Sequence, residues 1–80
     1  MAQLTAAALE AALNGSDTNR RFFQVTKSYD LGSTSMYYVT ALTYSSSWKN
    51  IRPGRSRWCT TTESDSTNTQ RDAVYTAMAN

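Results

Sequence analysis

Residues 35–44, SMYYVTALTY, decide the fold of this chain. The run is dense in aromatic and β-branched residues, and its period is two, the signature of a β-strand. Met36, Tyr38, Thr40, Leu42 and Tyr44 fall on one face. Tyr37, Val39, Ala41 and Thr43 fall on the other. Neither face is purely polar, which puts this strand in the middle of a sheet.

Upstream, residues 20–28 (RRFFQVTKS) read as a first strand, with Phe23 and Val25 pointing one way and Phe22, Gln24 and Thr26 the other. Asp30 and residues 32–35 supply the turn between the two. Downstream, residues 56–62 read as a third strand. Trp58 and Thr60 share one of its faces, and Arg57, Cys59 and Thr61 the other.

A helix is expected at each end. In residues 4–14 the apolar positions Leu4, Ala8, Leu9, Ala12 and Leu13 form one broad face, with Gln3, Glu10 and Asn14 opposite. Thr5 is placed to cap its start and Gly15 to end it. After the polar run 63–68, Thr67 and Gln70 have capping-box spacing. A second helix is expected over residues 68–79, with Ala73, Val74, Ala77 and Met78 as its stripe and Asp72 and Thr76 outward.

The fold expected is therefore α+β: one domain over residues 1–80, with three antiparallel strands and both helices on one sheet face in the order α-β-β-β-α. That order is similar to the order in double-stranded-RNA-binding domains. The family's lysine-rich start to the last helix is missing, because residues 68–73 offer only Arg71. The resemblance is one of topology, and topology does not carry function.

Composition narrows the function classes. Leu, Ile, Val and Phe make up only eleven of the eighty residues, so the core is small and a docking partner would support it. Histidine is absent and Cys59 is the lone cysteine, which removes the Ser-His-Asp arrangement, an activated thiol and a zinc site. Glu63 and Asp65 precede a helix, where acids favour the dipole, and are read as structural. The glycines form no phosphate loop. No cofactor, metal or catalytic residue is expected. Asn14-Gly15-Ser16 matches a glycosylation acceptor, discounted without secretory context. The start of the chain does not read as a cleaved signal peptide, and no stretch is long and apolar enough for a membrane span. A soluble protein of the cytoplasm or of a virion is expected.

One stretch remains, residues 48–58, WKNIRPGRSRW. It lies in a connection, residues 45–55, that is long for a hairpin. Pro53-Gly54 is a turn signal. Lys49, Arg52, Arg55 and Arg57 stand between Trp48 and Trp58 with no acid among them. Trp, Tyr and Arg are the residue types of interface hot spots, which makes Trp48, Lys49, Arg52, Arg55, Arg57, Trp58 and the nearby Tyr44 the expected protein contacts. The expected function is non-enzymatic docking onto another protein or onto copies of the chain, in concrete form a small viral accessory subunit such as a capsid decoration protein. A phage-encoded inhibitor of a host enzyme fits the same features. The alternative from another class is nucleic-acid binding by Arg20, Arg21, Lys49, Arg52, Arg55 and Arg57 on phosphates, set against a net charge of only +2.

Overall fold

In a computed structural model, which describes residues 3–15 and 21–80, the elements follow in the expected order: α1 (Ala6–Asn14), β1 (Phe23–Leu31), β2 (Thr34–Ala41), β3 (Ser56–Thr62) and α2 (Thr67–Ala79). The strands form one antiparallel sheet in the order β1-β2-β3, with β2 central. Leu9 and Leu13 of α1 and Val74 and Met78 of α2 close over the inward row Phe23, Val25, Tyr37, Val39, Ala41 and Cys59. Tyr37 is fully buried, and its hydroxyl donates to the main-chain oxygen of Leu4, satisfying the polar tip that a buried tyrosine must place.

Each end of α1 follows the sequence logic. Thr5 Oγ1 accepts from the Ala8 N–H at 3.1 Å, and Gly15 takes φ 73°, where a side chain would be strained. In α2 the cap moves by one residue. Ser66, not Thr67, accepts from the Thr69 N–H, and the helix begins at Thr67. Gln70 is then released from any capping box. It is buried beside Val74 and Met78 and donates to the Asp65 carbonyl at 3.1 Å, so the buried stripe is Gln70-Val74-Met78 while Ala73 is exposed.

The first hairpin is tighter than the sequence suggests. Leu31 pairs with Thr34 across a two-residue Gly32-Ser33 turn, in which Gly32 alone takes positive φ, the pattern of a type II′ turn. β1 also runs past its expected end at Ser28. A bulge between Lys27 and Tyr29 shifts the register and turns Tyr29 onto the face that Thr26 shares. On the inward face, Asp30 accepts from the buried Ser35 hydroxyl at 2.6 Å and from Lys27 at 3.2 Å. The Ser35 bond, and after it the Lys27 bond, hold the Asp30 carboxyl below its ordinary value.

Glu10 and Asn14 do not face away from the sheet, as the helix pattern alone implies. They clamp its β1 edge. Asn14 Oδ1 accepts from the Phe22 and Phe23 N–H groups at 3.0 and 2.9 Å, and its Nδ2 donates to the Phe23 carbonyl. Glu10 accepts from the Val25 N–H at 3.0 Å and from Arg21 at 2.7 Å. Four residues of helix rise about 6 Å and two residues of strand about 6.6 Å, so the Glu10-Asn14 spacing matches Val25-Phe23.

Candidate docking surface

The long connection does not stand out from the molecule. Ser45 caps a turn of 3-10 helix over Ser46–Trp48, and Ile51 is buried in the core. Trp48 is half-buried. Its Nε1 donates to the Leu13 carbonyl at 2.9 Å, its ring meets Phe23 edge-on and lies 4.8 Å from Tyr75, and Arg71 sits over it. The small core is thus completed by the loop. The Pro53-Gly54 turn forms as expected: Arg55 N–H donates to the Arg52 carbonyl, and Gly54 has φ 88°.

The cations divide. Arg55 and Arg57 both donate to the main-chain oxygen of Asn80 at the end of α2, where positive charge meets the negative end of the helix dipole. Arg21 pairs with Glu10 and Arg71 with Asp72. Lys49 and Arg52 are exposed, with no ion-pair partner among the described residues. Arg20 lies outside the described residues. Tyr44 is exposed at 59%. The residues first expected to act together are therefore separated: Trp48 packs inward, two arginines hold a helix end, and Trp58 lies on the sheet face that neither helix covers.

That open face is where the exposed aromatic groups collect. Pairing across the sheet sets four rows: Gln24-Thr40-Ser56, Thr26-Tyr38-Trp58, Tyr29-Met36-Thr60 and Leu31-Thr34-Thr62. Trp58 is 56% exposed, and its ring lies 4.8 Å from that of Tyr38. With half-buried Met36 and exposed Tyr29 they make a diagonal apolar stripe, surrounded by hydroxyl and amide side chains. No outward position in these rows is charged. The sequence signal for this surface lay in the alternation of residues 35–44, while the contribution of Tyr29 was hidden by the bulge.

Cys59 is buried, and burial pushes its thiol above the ordinary value, so it stays protonated. No group of three His, Cys, Asp or Glu side chains converges among the described residues. A shallow depression beside Trp48, lined by Leu13, Asn14, Phe22 and Ser47 among others, has Arg71 as its one ionisable group among the described residues. No helix among the described residues is long and apolar enough to cross a membrane. No protein-family model, curated protein or solved structure matches this chain.

Proposed function

We propose that this domain is a non-enzymatic protein-docking module whose contact surface is the open face of the sheet. The observation that carries this is the uncharged Trp58-Tyr38-Met36-Tyr29 stripe, ringed by threonines and left bare by both helices. Aromatic anchors among adaptable hydroxyl groups are how docking surfaces gain area with little entropy cost. The concrete form we favour is an accessory subunit that decorates a larger assembly such as a viral capsid, where many copies of a modest face suffice. An inhibitor seated on an enzyme would use the same face. Nucleic-acid binding is the weaker reading, because phosphate recognition needs cations beside the stacking rings, and the outward rows have none.

Charge substitution on the face separates the classes. Thr26 is exposed in the row of Tyr38 and Trp58. Docking onto protein is expected to weaken in both Thr26→Lys and Thr26→Glu, measured as co-purification with the native assembly. Tighter binding of single-stranded DNA or RNA by Thr26→Lys, rising as salt falls, would support the nucleic-acid reading instead.

A further inference from the structure

The two edges of the sheet are finished differently. In an antiparallel ladder, successive residues point their main-chain groups alternately toward and away from the neighbouring strand. On β1 the Leu42 N–H donates to the Phe22 carbonyl, which fixes the parity and turns the main chain of Phe23 and Val25 outward. Asn14 takes the Phe23 N–H and carbonyl and Glu10 the Val25 N–H, and the rest of that edge is broken by the bulge and flanked by the Lys27-Asp30 ion pair. Bulges, charges and side-chain covers are how edges are kept from pairing.

β3 is far less protected. The Glu63 N–H donates to the Ser33 carbonyl and the Ala41 N–H to the Arg55 carbonyl, so Arg57, Cys59 and Thr61 face β2. Ser56, Trp58, Thr60 and Thr62 then point their main-chain groups away from the sheet. Among the described residues, no side chain donates to or accepts from the main chain of Trp58 or Thr60 on that side. The strand carries no proline, no bulge and one charge, Arg57.

We propose that this edge pairs with β3 of a second copy, giving a closed two-fold dimer with a continuous six-stranded sheet. Closure argues for a copy of the chain as the occupant: each copy has one open edge, so pairing consumes it and stops at two. Full overlap sets Ser56 opposite the partner's Thr62 and Trp58 opposite the partner's Thr60, with Cys59 on the axis. Arg57 faces the partner's Thr61, and the two Arg57 residues stand four positions apart, roughly 13 Å, so like charges do not oppose. The two Trp58 rings become diagonal neighbours, within aromatic reach. The helices also fit. Arg71 and Tyr75 turn one flank of α2 toward Trp48, which leaves Ala73 and Ala77 on the flank beside the free edge, where small residues permit close helix approach. This interface meets the open face at Trp58, but its main-chain pairing does not depend on what that face docks.

The test uses the purified chain alone. Light scattering across a dilution series should show a dimer that dissociates. Amide hydrogen exchange at Trp58 and Thr60 should slow at least tenfold in the dimer while exchange at Cys59 changes little. Thr60→Pro removes an outward N–H that no internal ladder bond uses, and should leave a folded monomer. A single-chain mass at every concentration overturns the proposal. So does a dimer in which the Trp58 and Thr60 amides exchange freely, or a Thr60→Pro chain that still dimerises. Should Thr60→Pro fail to fold, the exchange measurement on the unaltered chain decides.

Discussion

Trp48 and Trp58 bracket the same basic run and have opposite environments. Trp48 turns under the sheet, donates to Leu13 and packs between Phe23 and Tyr75. Trp58 stands on the other side of the sheet, more than half exposed, against Tyr38. The difference extends to the two sides of the molecule. On the helix side, polar groups such as Asn14, Glu10 and Ser35 are committed to named partners. On the open side, hydroxyl groups and rings face solvent. One side builds the fold, and the other is left uncovered.

The largest break in that contrast comes from Trp48→Ala. Removing its packing and its bond to Leu13 is expected to cost about 3–4 kcal/mol in denaturant unfolding, a large share of the stability of so small a domain. Asn14→Ala comes next. It strips the β1 edge of its clamp and leaves the Phe22 and Phe23 main chain with fewer partners, for an expected loss of about 2 kcal/mol, with faster amide exchange in β1 as the local sign. Trp58→Ala, by contrast, should change unfolding stability by no more than about 1 kcal/mol, the scale of one aromatic pair.

The smallest effect concerns acid. Asp30 is held below its ordinary carboxyl value by Ser35 and Lys27, so its contribution to stability is present above about pH 3.9, the unfolded value, and is lost as pH falls through the lower folded value. Asp30→Asn should flatten that part of the acid unfolding curve while leaving neutral-pH docking unchanged. A shift in docking would tie this corner to the open face.

Much of this was legible in the chain. The period-two run 35–44 marked the central strand and its two faces, although the strand ends at Ala41 and residues 42–44 enter the connection, and the third strand begins and ends at residues 56 and 62 as expected. Thr5 and Gly15 marked the first helix because caps are local chemistry. What could not be seen depends on distance. The bulge after Lys27 shifts the alternation by one residue, so Tyr29 falls beyond the expected strand end at Ser28 until the register is known. Glu10 and Asn14 look like solvent positions on a helical wheel, because their partners are main-chain groups of a strand that carry no sequence signature. The basic run read as a displayed surface, since nothing in it announces that Arg55 and Arg57 meet the end of a helix more than twenty residues away.

The proposed division, in which Trp58 binds while Trp48 builds, is decided by melting one preparation of Trp58→Ala and measuring how much of its native assembly it retains. The melting temperature is expected to stay within a few degrees of the unaltered chain, with a loss of binding of about thirtyfold, the 2 kcal/mol of a hot-spot residue. Undiminished binding by this folded variant would contradict it.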